Sequence, residues 1–166
     1  KEIRSKYAEK DEIIDIGNDN APGQFVISGH NSIVDKVIAN HKSLGIKRAI
    51  KLPVSAPFHC RLMEKARENM ESYIQDLDLL SPKLILVNNV GAAPLTEINK
   101  IKDSLVEQIT NTVRWRESIN NMCDLGVDNF IEIGAGNVLS GLVKRINKTV
   151  NSSSIQNIEN IENYIN

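Results

Sequence analysis

Histidine moves protons most readily near neutral pH, so the three histidines are the first candidates for chemistry. His59 stands out by its place. It follows Pro53-Val54-Ser55-Ala56-Pro57-Phe58, where an apolar run ends, and precedes a helical pattern. In α/β proteins ligands bind at the carboxyl edge of the sheet. A titratable group there can be a general base or a structural residue. His30, His41 and His59 with Cys60 and Cys123 show no C-x-x-C or H-x3-H spacing, so no metal site is expected. Cys60 adjoins His59 but need not face it. Cys123 lies near a helical apolar stripe, where a free thiol is usually a small hydrophobe.

Two glycine turns come next. Gly134-Ala135-Gly136 separates a strand pattern from a helix pattern, and helix-start N–H groups there could meet an anion. The dinucleotide pattern G-x-G-x-x-G would need glycine where Leu139 stands, so a tight strand-to-helix connection is the plainer reading. Gly29-His30-Asn31-Ser32 begins like the nucleophile elbow G-x-S-x-G. Asn31 occupies the serine place, and Ser32 reads as a helix cap.

The elements that must position these residues follow from periodicity. Residues 1–12 are polar and helix-compatible. Ile13 to Ile16 and Gln24 to Ser28 read as strands around the turn-rich Asn18-Asp19-Asn20-Ala21-Pro22-Gly23. Ile33, Val34, Val37, Ile38, His41 and Leu44 share one helical face, stopped by Gly45. Arg48 to Val54 reads as a third strand. A long helix is expected from about Cys60 to Leu79, then a buried strand over Leu84 to Val87. Two helical stripes follow, with a strand over Phe130 to Ile133 and a helix through Val138 to Ile146. Beyond Val150 a frayed tail or a loosely docked helix is expected. The alternation predicts an α/β layered domain with parallel strands.

Composition narrows the class. The 166 residues hold 41% hydrophobic and 25% charged residues, as in soluble globular proteins. Twenty Lys+Arg oppose 21 Asp+Glu, for a net charge of −1. That balance argues against a bulk grip on nucleic acid or anionic membrane. No apolar run reaches the ~20 residues of a membrane helix. The charged start KEIRSKYAEKDE has no signal-peptide core. Two cysteines suit free thiols in a reducing cytoplasm. The first residue is Lys1 rather than Met, so the start is read as other than a natural translation start.

Six segments, taken together, carry a resemblance. Leu52 to Met63 (LPVSAPFHCRLM) resembles the histidine motif of malonyl-CoA:acyl carrier protein transacylases and of synthase acyltransferase domains. Asn18-Asp19-Asn20-Ala21-Pro22-Gly23-Gln24 resembles the family's N-x-N-x-P-G-Q. Gly45-Ile46-Lys47-Arg48-Ala49 with Leu52-Pro53-Val54 resembles GAKRA…LPV. Leu86 to Val90 is similar to its VNNV strand end. Gln108 to Trp115 resembles Q-x-x-N-P-V-x-W, with Thr112 for proline. Glu132 to Leu139 resembles E-I-G-P-G-x-V-L, again without proline, and Gly141 to Arg145 continues it. Order and spacing hold over roughly residues 13–150.

The resemblance implies the C-terminal part of an α/β-hydrolase-like core with parallel strands, plus most of a small ferredoxin-like subdomain. Residues 1–54 would be the partial subdomain, 55–150 the core and 151–166 a tail. It implies ping-pong transfer of malonyl from malonyl-CoA to the phosphopantetheine thiol of acyl carrier protein, without a further cofactor. His59 would be the base, and Gln108 would lie in the block whose backbone carbonyl orients it. Phe58 would exclude an α-methyl branch. Asn18 and Asn20 would line the cleft or form a turn. Lys47, Arg48, Lys51, Lys144 and Arg145 would contact an acidic carrier or form a solvated face. The family's serine elbow, malonyl-binding arginine and oxyanion glutamine have no counterpart in these 166 residues. The chain alone is therefore expected to be inactive. It would be a piece of a working enzyme, either cut from a longer chain or paired with a separate N-terminal half, or it would be a non-catalytic module.

Overall fold

The computed structural model describes residue 9 and residues 11–165. The helix-compatible reading of residues 1–12 falls, at residues 1–8 and 10, outside the described residues. Helices and strands mix as expected, and the strands form three two-stranded sheets.

β1 (Ile14–Ala21) pairs antiparallel with β2 (Gln24–Gly29). The turn is narrower than the sequence suggested. Only Pro22 and Gly23 make it, with Gly23 in the left-handed region at φ 74°. Asn18, Asp19 and Asn20 belong to the strand, not to a turn. The physical reason is a second backbone neighbour on β1. Asn18 bridges Val113 in parallel, the Val113 N–H donates to Gly17 O, and the Asp19 N–H donates to Val113 O. Pairing on both edges outweighs the weak strand preference of Asn and Asp. At Gly29 a Cβ would lie 2.3 Å from Ile13 O, so only glycine admits this close backbone approach.

α1 (Asn31–Ala39) buries Ile33 and Val37 against Ile14. Ile27, Leu44 and Ile46 pack around that cluster. The helix is shorter than its apolar stripe, which runs on into a turn through Gly45. Neither Asn31 nor Ser32 caps it. His30 holds the cap position without a side-chain bond to the helix, and the Ser32 hydroxyl donates to Glu12.

The third strand expected over Arg48 to Val54 does not form. The segment pairs with no strand among the described residues, and Ile50, Leu52 and Val54 lie exposed. A β-branched run makes a strand only where an edge accepts it. The long helix expected from Cys60 to Leu79 is a 3-10 turn at Arg61–Met63 followed by α2 (Glu64–Gln75). Leu84 to Val87 is not a strand buried on both faces. Only Leu86–Val87 (β3) pairs, antiparallel with Pro94–Leu95 (β4), while Leu84 is 82% exposed.

α3 (Ile98–Glu107) and α4 (Trp115–Asp124) stand where the periodicity placed them. β5 (Asn129–Ile133) runs through the glycine turn into α5 (Val138–Ile146). The segment after Val150 is not frayed. Its Asn151–Ile155 forms β6, which pairs in parallel with β5, and α6 (Ile158–Ile165) follows. The Ser-rich sequence hid this strand, because the backbone ladder supplies what side-chain propensity lacks.

Glu132 closes the glycine turn. Its carboxylate accepts the N–H groups of Leu139 at 3.1 Å and Ser140 at 2.8 Å. The orphan donors of α5 are thus served by the chain's own anion, as in a tight connection. The Ser140 N–H holds the Glu132 carboxyl below its ordinary range, burial opposes it and the Leu139 N–H adds to the lowering. A carboxylate held low binds fewer protons folded than unfolded. Its stabilisation is present above the ordinary carboxylate range and is lost as pH falls through the folded value. We expect Glu132→Gln to lower the urea midpoint at neutral pH. The gap to wild type should close as the pH falls through that window.

Candidate active site

His59 sits half-buried at the turn between the unpaired 46–57 segment and the Arg61–Met63 turn. Its backbone lies in the left-handed region at φ 57°, which is uncommon for a residue with a Cβ. Its Nδ1 lies 2.7 Å from the backbone oxygen of Gln108. A carbonyl can only accept, so Nδ1 carries the proton and Nε2 keeps its lone pair in the neutral ring. That is the tautomer a general base needs.

The acceptor is fixed by the end of α3. Gln108 is the residue after Glu107, and the last carbonyls of a helix have no partner within it. The Gln108 N–H still donates to Ser104 O at 3.1 Å. Its side-chain oxygen accepts from Asn89 Nδ2 at 3.0 Å. The neighbouring N–H of Arg114 donates to Asn89 O at 2.8 Å. The Gln108-to-Arg114 loop is therefore held by Asn89, in the turn after β3, and by β1.

β1 also holds the histidine side. Asp15 accepts from Cys60 Sγ at 3.3 Å, from the Arg61 N–H at 3.1 Å and from Arg61 Nη2 at 2.8 Å. Burial pushes the Asp15 carboxyl up, but the Arg61 guanidinium, the Arg61 N–H and the Cys60 thiol outweigh it and hold it low. Burial pushes the Cys60 thiol up, with Asp15 adding to the rise. A raised, fully buried thiol is a poor nucleophile, consistent with a packing role for Cys60. Gly17 lets the histidine segment pass close to β1, since a Cβ there would lie 3.2 Å from Phe58 O.

The other sequence-predicted residues are placed as follows. Phe58 adjoins His59 and is half exposed. Asn18 and Asn20 are partly buried in β1. Between them, Asp19 receives a forked contact from Arg116 at 2.9 and 2.6 Å. Lys47, Arg48 and Lys51 are exposed on the unpaired segment, and Lys51 reaches Asp35 at 2.8 Å. Lys144 and Arg145 are exposed in the last turn of α5, and Arg145 donates to Gln24. His30 is engaged otherwise, its Nδ1 accepting the Ile13 N–H at 2.9 Å. No group of three metal-ligating side chains occurs among the described residues. Among them too, no helix is long and apolar enough to cross a membrane.

Sequence reasoning missed Asp15, Arg61 and Asn89. Asp15 and Arg61 are 46 residues apart, and no spacing rule links a strand carboxylate to a turn arginine. Only the fold brings them together.

The "Malonyl CoA-acyl carrier protein transacylase" of Staphylococcus aureus is 42% identical over 163 residues, 98% of this chain and 53% of that protein. The chain is homologous to the C-terminal part of malonyl CoA-acyl carrier protein transacylases. It spans about half the length of the relatives it matches. A crystal structure of an acyl carrier protein S-malonyltransferase from Vibrio cholerae superposes with a TM-score of 0.92 at 36% identity. It covers 98% of this chain and 53% of that one. A malonyl-transacylase solved in complex with a type II PKS acyl-carrier protein gives 0.92 at 33% identity, covering 97% and 52%. No family model matches the chain.

Proposed function

We propose that this chain supplies the general base of a serine–histidine malonyl transfer from coenzyme A to an acyl carrier protein. The carrying observation is the 2.7 Å contact between His59 Nδ1 and Gln108 O, which leaves Nε2 as the acceptor. In the first half-reaction Nε2 takes the proton of a serine hydroxyl as its oxygen bonds to the malonyl carbonyl carbon. The carbon–sulfur bond breaks, and the coenzyme A thiolate leaves with that proton. In the second, Nε2 takes the proton of the carrier's thiol, sulfur attacks the serine ester, and the proton returns to serine. The α3 C-terminus carries partial negative charge, the sign wanted beside a ring that takes up a proton. A backbone carbonyl thus takes the orienting place that aspartate holds in other triads.

In this reading the serine lies in an N-terminal part, on the same longer chain or on a separate one. The exposure of Ile133 (82%) and Val138 (69%), at the end of β5 and the start of α5, supports a further segment packing there. The basic residues of the two exposed groups would then meet an acidic carrier. The test is a malonyl transfer assay of the 166-residue chain alone and mixed with the N-terminal part of the Staphylococcus relative. We expect no turnover alone and turnover in the mixture. No turnover in a complex shown to assemble would favour a non-catalytic binding module.

The role of Gln108 rests on its backbone, so its side chain should matter little. In the assembled pair, Gln108→Ala keeps the carbonyl and loses one hydrogen bond to Asn89. We expect a fall in kcat/KM of no more than about tenfold, the equivalent of one ordinary hydrogen bond. Steady-state kinetics checks it.

A further inference from the structure

The strained backbone of His59 needs a holder, and Gln108 touches only the ring. A non-glycine residue persists in the left-handed region where its surroundings over-determine it. The residues directly after His59 provide such surroundings, and both are anchored on one carboxylate. Cys60 Sγ, the Arg61 N–H and the Arg61 guanidinium all converge on Asp15, with Nε at 3.0 and 3.2 Å and Nη2 at 2.8 Å. The guanidinium fork fixes direction as well as distance.

β1 carries that carboxylate, and it also holds the loop that follows Gln108. Thr112 Oγ1 donates to Ile16 O at 2.6 Å, next to Asp15 in sequence, and the Val113 N–H donates to Gly17 O at 2.8 Å. One strand is therefore the common reference for donor and acceptor. We propose that Asp15 is a positioning residue for His59, holding the Cys60–Arg61 backbone on β1 so that Nδ1 meets Gln108 O and Nε2 is presented outward. The inference rests on the reading of His59 as a base, but it concerns ring geometry and can be tested without turnover.

An exposed ion pair alone would have little effect. Arg61 is about half exposed, whereas the Asp15 side chain is 23% exposed and binds two further donors. The difference is measurable. The 15N shifts of the His59 ring nitrogens in the full chain report the ratio of the Nδ1–H to the Nε2–H form. We expect Nδ1–H to dominate in the wild type. In Asp15→Ala the ratio should fall about fivefold, the weight of an ordinary hydrogen bond. Asp15→Asn, which keeps an acceptor, should fall between.

Arg116→Ala serves as control, because it breaks the other forked pair on β1, at Asp19, and should leave the ratio unchanged. If Asp15→Ala does not fold, Arg61→Ala carries the same expectation. An unchanged ratio in a folded Asp15→Ala or Arg61→Ala overturns the positioning role. A wild-type ring without the Nδ1–H form overturns the reading of His59 itself, which is a separate outcome.

Discussion

Replacing His59 with alanine in the assembled pair should cut malonyl transfer by about a thousandfold or more in kcat/KM. The size follows from its two duties. In the proposed mechanism the same ring would activate the serine hydroxyl in one half-reaction and the carrier thiol in the other, so neither half would escape the loss. Binding should change far less, because the ring tip handles a proton rather than the bulk of the acyl-CoA. The fall should therefore be in kcat, with KM nearly unchanged. His30 is not expected to substitute, because it follows β2 and spends its Nδ1 on the Ile13 N–H. A His59→Ala pair that retained more than about a tenth of its activity would remove His59 from the base role.

Replacing Phe58 with alanine should relax the choice of acyl group. Phe58 adjoins His59 in sequence and is half exposed. If the ring stands beside the reacting carbon, as the family resemblance implies, it would leave little room for an α-methyl branch. One methyl in a shaped apolar site is worth about 10–200-fold in discrimination. In the assembled pair, Phe58→Ala should raise the methylmalonyl-to-malonyl ratio of kcat/KM by about that factor. A competition assay with both thioesters reads it directly. A ratio equal to that of wild type would show that selectivity is set elsewhere.

Much of this site could be read from the sequence, and the reasons differ by residue. His59 drew notice as a titratable group at the end of an apolar run, but that place suits a structural residue as well, and the base role came only from the family resemblance. Gln108 was legible only through the family resemblance, since no pattern says that a helix ends with its carbonyl facing a histidine. The helices α3, α4 and α5 were legible from 3.6-residue periodicity, which backbone geometry enforces. Strands fared worse, because a strand is made by its neighbour. Arg48 to Val54 had the composition and found no edge, whereas Asn151–Ile155 lacked the composition and found β5. Asn18 to Asn20 looked like a turn until Val113 paired with the strand from the other side. Asp15 and Arg61 gave no signal at all, because their meeting is a product of the hairpin and the histidine turn folding onto each other.

The most direct measurement is the malonylation of the serine itself, followed by mass spectrometry of the N-terminal half after mixing with malonyl-CoA. This isolates the first proton transfer from the carrier step. The account predicts rapid formation of the malonyl adduct with the wild-type chain present, and none on that timescale with His59→Ala or with the N-terminal half alone. An adduct forming at the wild-type rate without His59 would contradict it.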